Sequence, residues 1–421
     1  MSGIKTISFL LLFFIFSTLS GQTEREIDWF PETELLGKEL LQRHCDLFFR
    51  SDSAAFFRGL ERIARGSDGL TLFQVSVKLQ QLLATLGDAQ TRINYHFNID
   101  SRYILPIDCY WFEDGLYILR TQKEYSDLAG KRIVSVNGFP LDQVRDSLAT
   151  LIVDDNGSNV IRALPRMITW TQLLQTFGFA ETSGLELQVQ DSPGRTITRR
   201  ILLPAGEGEM VSAMPGSLPL GWQDRRAYFR DLYFPEEKIY YVQYNKCWSR
   251  EAEVVFGTGA SALFMPSFSE FEKRVLRTIR RRKVEKLVLD LRFNSGGTPY
   301  QGTRFIEELE DTGIGDRAEI FLVVGRETSG SAVINAADLM RTFDVTVVGE
   351  NSGGSLNHFG EVKRFVLPAS KLVVDCATSY IKLSGEDPPA IVPDILTPET
   401  YASFRDGIDP AFEAIRDYTA D

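Results

Sequence analysis

Hydrophobic positions change their spacing twice along the chain. Between residues 28 and 95 they recur at helical intervals: Leu35, Leu36, Leu40 and Leu41, then Phe56, Phe57, Leu60 and Ile63, then Phe73, Val77, Leu79, Leu82, Leu83 and Leu86. Residues three and four apart share one helix face, so this stretch reads as helices packed on something larger. Gly87-Asp88 closes it, as glycine does at many helix ends. From 103 to 204 the period shortens to two. Runs 105–112 and 115–119 flank Asp114-Gly115, and the run 131–136 stops at Asn137-Gly138, both hairpin signals. A helix is predicted over 141–151. Runs 185–190 and 196–203 pair across Pro193-Gly194. The sum is a mixed α+β unit of about 100 residues.

Residues 205–224 are rich in glycine and proline and read as a linker or surface loop. Beyond them strands and helices alternate. Strands are predicted at 239–244, 287–291, 320–324 and 345–348, and helices at 267–282, from Thr298-Pro299, and at 331–341. Ser267 with Glu270, and Thr298 with Gln301, fit capping boxes. The strands are near-continuous apolar runs, the signature of a parallel sheet buried on both faces and joined by right-handed crossovers.

Composition removes several function classes. The 421 residues are 43% hydrophobic and 24% charged, which excludes a disordered chain. With 46 basic and 57 acidic residues the formal charge is 46 − 57 = −11, so no whole-chain footprint for nucleic acid exists. The basic run 277–283 falls at a helix end, where cations complement the dipole. Three histidines, His44, His96 and His358, exclude a His-rich metal cage, and no metal or cofactor is expected. Cys45, Cys109, Cys247 and Cys376 form no CxxC pattern, and their pairing stays open. A weakly basic start, an apolar run at 7–19 and small Ser20-Gly21 have the layout of a signal peptide over 1–21, with a retained anchor as the alternative. No later run is long and apolar enough to span a bilayer, so the mature chain is expected to be exported, periplasmic or extracellular.

Chemistry in open α/β sheets gathers at the carboxyl ends of strands. Three such ends stand out. Asp290-Leu-Arg-Phe-Asn-Ser-Gly-Gly297 offers two glycines whose N–H groups suit an oxyanion hole, or an ordinary tight turn. Gly325-Arg-Glu-Thr-Ser-Gly-Ser-Ala332 places Ser331 at a helix start, suiting a nucleophile or a plain N-cap. Gly349-Glu-Asn-Ser-Gly-Gly-Ser-Leu-Asn-His358 carries a histidine that fits a general base or a structural role.

Together these motifs resemble the carboxyl-terminal processing, or tail-specific, protease family of serine peptidases, which includes the Tricorn core and interphotoreceptor retinoid-binding protein. Leu82-Leu-Ala-Thr-Leu-Gly-Asp-Ala-Gln-Thr91 is similar to its upstream Gly-Asp-x-His-Thr segment, and Leu128-Ala-Gly-Lys-Arg-Ile-Val-Ser-Val-Asn-Gly138 to the end of a PDZ-type module. The resemblance implies an α/β fold with a crotonase-like parallel-sheet core over 225–421, a helical N-terminal part over 22–100 and an inserted PDZ-like α+β module over 101–205, with 206–224 as linker. It implies a polypeptide substrate or peptide ligand. The family's histidine, nucleophile and dyad lysine fall on Gln90, Gly330 and Ser355, none of which can do that chemistry.

Two accounts follow. In one, Ser331 attacks a peptide carbonyl, His358 takes its proton, and the N–H groups of Gly296, Gly297 and Ala332 hold the oxyanion. In the other, the chain keeps the groove and binds a peptide or apolar ligand without cutting it.

Overall fold

The computed structural model describes residues 27–419 except 155, 182–183, 192–193 and 205. The expected leader over 1–21 and Pro193 of the expected turn lie outside the described residues. Among the described residues no helix is long and apolar enough to cross a membrane.

Three helices open the fold: Trp29–Arg43, Ser53–Arg65 and Leu72–Ala84. Asp28, Asp52 and Thr71 cap them by accepting from backbone N–H groups, and Thr71 with Gln74 completes a capping box. Their apolar stripes, including Leu36, Leu40, Phe56 and Leu83, are buried. Gly87, at φ +76°, turns the chain away from the last one.

The middle sheet is built on the predicted hairpins. Ile107–Phe112 pairs with Gly115–Gln122, and Gly184–Gln190 with Thr196–Leu202, all antiparallel. Asn137 and Gly138 both have positive φ, as the tight turn after Arg132–Val136 demands. The glycine-rich stretch contributes more than a linker: Met210–Ser212 adds to this sheet beside Gly115–Gln122.

The predicted parallel sheet is present. Its strands run in the order Ile395–Leu396, Val345–Gly349, Glu319–Val324, Lys286–Asp290, Ile239–Tyr244, with Phe229–Phe234 as an antiparallel edge. Side chains alternate between two covered faces. Tyr240, Leu289 and Leu322 pack under the helices Phe268–Arg281, Tyr300–Glu310 and Ser331–Thr342, while Tyr241, Val288 and Phe321 pack with Ala411 and Ile415 of Pro410–Asp417. In register, Asp290 lies beside Val323 and Val324 beside Gly349. The three rim loops therefore leave the sheet side by side.

Two expected capping boxes are not made. Ser267 accepts from Glu270 N, but its Oγ donates to Glu251, whose carboxylate also takes Phe268 N. The helix at 300 starts one residue later than expected, with Pro299 ahead of it, and Gln301 donates to Tyr244 instead. A hairpin beyond the predicted elements, His358–Val366 with Val373–Ile381, returns to the first part of the chain and pairs with Arg92–Ile93. One apolar cluster accordingly joins the opening helices, the middle sheet and Leu367, Leu372 and Val374.

Candidate functional site

The first rim loop is fixed by buried polar groups. Asp290 is fully buried; it accepts from the Tyr241 hydroxyl and from Arg292 N at 2.9 Å and Nε at 2.8 Å. Arg292 also donates to Asp409 at 2.9 Å. These flanking carboxylates hold the guanidinium pKa well above its ordinary value despite burial, and Asp409 is held below its own. Asn294 then shapes the turn: its Nδ2 donates to Tyr244 O, and its Oδ1 accepts from Gly296 N at 2.9 Å. Both glycines are required. A Cβ on Gly297 (φ +143°) would meet Cys247 O at 2.3 Å, and one on Gly296 (φ +99°) would press on Ser329 O and Ser331 N at about 3 Å.

The second loop is stitched to the first. Thr328 Oγ1 donates to Leu291 O at 2.8 Å, and Ser329 N to Asn294 O at 3.2 Å. Gly330 follows at φ +57°, ψ −127°, a conformation that L side chains rarely adopt. Space above it is open, the nearest atom to a built Cβ being Ser295 O at 3.7 Å. Ser331 opens the helix, and its Oγ donates to Gly297 O at 3.0 Å.

In the third loop, Arg326 grips Glu350 with two bonds of 2.9 and 2.7 Å and reaches Trp111 O in the middle sheet. A Cβ on Gly353 would meet Arg326 O at 2.1 Å, so this loop lies directly on the second. Ser355 Oγ donates to Asn357 O. His358 Nδ1 lies 3.0 Å from Ser355 O, which only accepts, so that nitrogen carries the proton and Nε2 holds the lone pair. Burial lowers the pKa of this ring, favouring the neutral base.

A cavity of about 310 Å³ collects much of this: Gln90, Ser329, Gly330, Ser355 and His358 line it. Ser331 does not, and among the described residues no hydrogen bond joins it to His358. Nor are two of the three expected oxyanion donors free, since Gly296 N is bonded to Asn294 and Ala332 N to Ser329 O at 3.2 Å. The structure thus brings His358 to the positions matched on the family motifs, Gln90, Gly330 and Ser355, and turns Ser331 away from them.

Sequence reasoning missed two contributors. His44 and Asp88 form a buried pair at 3.0 Å, with Asp88 at the cavity wall and His44 behind it; His44 Nδ1 accepts from Asp46 N, so Nε2–H donates to the carboxylate, which also takes Gln90 N at 2.7 Å. Asp88 sits in the segment already singled out, but nothing in the spacing points to a partner 44 residues earlier. Arg162, from the unpredicted helix Ser158–Met167, also lines the cavity. Among the described residues no group of three or more His, Cys, Asp or Glu side chains is placed to hold a metal, and all four cysteines are free thiols.

No family model and no curated protein matches the chain. Solved structures do. Mature CPAF complexed with lactacystin superposes at a TM-score of 0.65 with 13% identity, covering 92% of this chain and 96% of that one. Another mature CPAF structure gives 0.61 at 12% identity, with 92% and 96% covered. The chain shares the fold of mature CPAF. A C-terminal processing protease of photosystem II is also similar, at 0.41 and 14% identity, covering 91% and 99%. In this fold the rim glycines hold three loops in contact, with Gly330 at the turn between the first and the third.

Proposed function

We propose that this chain receives an extended polypeptide segment in the cleft of a tail-specific protease fold and binds it without hydrolysing it. The observation that carries this reading is Gly330. It holds the strained backbone turn at the cavity with no side chain to attack, while the adjacent Ser331 Oγ is committed to Gly297 O. Bringing Ser331 into that seat needs a turn of about 100° about the helix axis, far outside catalytic tolerance.

On this reading the central sheet is a crotonase-like core, the middle sheet with its helix Leu141–Ala149 is a PDZ-like module that presents a sheet edge to the same ligand, and 1–21 directs export. The second reading, a serine peptidase using Ser331, His358 and the backbone of Gly296, Gly297 and Ala332, is favoured by the neutral His358 in the cavity. It requires the first two loops to rearrange on binding, since Ser331 Oγ, Gly296 N and Ala332 N are bonded within them.

Hydrogen exchange tests the proposal. An unstructured protein added to the mature chain is expected to slow exchange at 328–332 and 352–358 and to remain intact. Binding that leaves those segments unprotected overturns it.

A further inference from the structure

The cleft does not end at Gly330. A second cavity of about 350 Å³ shares Asp88, Arg92, Val153, Asn159 and Arg162 with the first, and a third of about 260 Å³ shares Arg162 and Arg166 with the second. Arg162 lines all three, so they adjoin as a row along the helix Ser158–Met167, here called the trough. Its lining is cationic although the whole chain is at −11.

The cations are unequally matched. Arg92 meets Asp375 at 3.3 Å. Arg166 lies over the Trp170 ring at 5.3 Å. Arg162 has only the neutral Asn159 Oδ1, at 3.1 Å, and no described carboxylate within ion-pair distance. The acids near it are taken: Asp88 by His44 and Gln90 N, Glu327 by Arg225, and Asp154 by the first turn of the helix. Desolvation lowers the Arg162 pKa against the opposing pull of Glu327 and Asp154, and the side chain stays exposed at the trough, where an incoming carboxylate can reach it. The helix is itself anchored to the cleft, since Asn156 donates to Ser352 O at 3.0 Å and Ser158 to Asn351 O at 3.3 Å. A planar guanidinium held this way matches a carboxylate with two parallel bonds.

We propose that Arg162 receives an Asp or Glu side chain of the bound segment, so that the ligand of this trough is an acidic polypeptide. This rests on the reading of the cleft as a polypeptide site and specifies its chemistry.

The test is fluorescence anisotropy of the mature chain with short labelled peptides, acetylated and amidated, of one sequence bearing several Glu or the same number of Gln. The Glu peptide is expected to bind roughly tenfold tighter at low salt, and the gap to close as screening rises. Arg162→Gln should abolish the preference, while Arg162→Lys keeps part of it; circular dichroism checks that both fold. Equal affinities, or a preference that survives Arg162→Gln, overturn the inference while the polypeptide reading stands. Absence of binding by either peptide removes both. A Gln peptide with a free carboxyl terminus that binds as tightly as the Glu peptide assigns Arg162 to the chain end and contradicts the acidic side chain.

Discussion

Gly330 concentrates the physics of the site. Its φ of +57° is cheap for glycine and costs about 1–3 kcal/mol for other residues. Gly330→Ala should therefore lower unfolding free energy by about that amount in urea titration, although a Cβ there meets nothing closer than 3.7 Å. Ser331→Ala removes one hydrogen bond to Gly297 O and should cost about 1 kcal/mol, with no change in polypeptide binding. A much larger penalty belongs to Asp409→Ala. It strips Arg292 of a partner where both are buried, an expected loss of about 3–5 kcal/mol in the same titration. The Asp-Leu-Arg portion of the first motif is thus a brace for the loop that follows it, and its charges face each other instead of a ligand.

At the scale of elements, Arg326 is one of the ties between the sheets, beside the bonds Glu113 N–Glu399 O and Tyr401 N–Asp114 and the cluster of Phe112, Trp222 and Phe404. Arg326 leaves the end of Glu319–Val324, pairs with Glu350 and donates to Trp111 O in the middle sheet. Arg326→Met keeps the stem and removes all three bonds. It should lower the midpoint of the thermal transition followed by calorimetry, because the middle sheet loses one of its polar ties to the core; a transition at the wild-type temperature would count against that role. The same scale shows what could be read in advance. The parallel strands were legible because buried apolar runs such as 287–291 and 320–324 alternate with capped amphipathic helices. The hairpins were legible because Asn137-Gly138 and Asp114-Gly115 leave few other conformations. The helix Ser158–Met167 was not, for its cap is a glycine without a side-chain acceptor and Pro165 lies inside it. It is held from outside, by Asn156 and Ser158 bonding to the third rim loop, and no local pattern records such contacts. The direction of the Ser331 hydroxyl was not legible for a related reason: a serine at a helix start looks the same whether its hydroxyl faces a cavity or a neighbouring carbonyl.

Across the whole molecule, stability should depend on pH through buried carboxyls between the sheets. Burial pushes Glu399 up to about 7; nearby Asp409 adds to this, while Arg292 and the Trp222 indole N–H, 2.7 Å away, oppose it. The folded state then binds this proton more tightly than the unfolded chain. Its contribution is complete below the ordinary carboxylate range and is lost as pH rises through about 7. Partial solvent access limits the effect to about 1–2 kcal/mol. Glu399→Gln should flatten that slope when urea midpoints are compared at mildly acidic and mildly alkaline pH, and an unchanged slope would place the titration elsewhere.

The account depends most on whether the cleft cuts what it holds. An unstructured acidic protein incubated with this protein, and followed by intact-mass spectrometry, should be bound and recovered whole. Fragments that form with the wild type and disappear with Ser331→Ala would contradict it, because they would make the serine now turned toward Gly297 the attacking group.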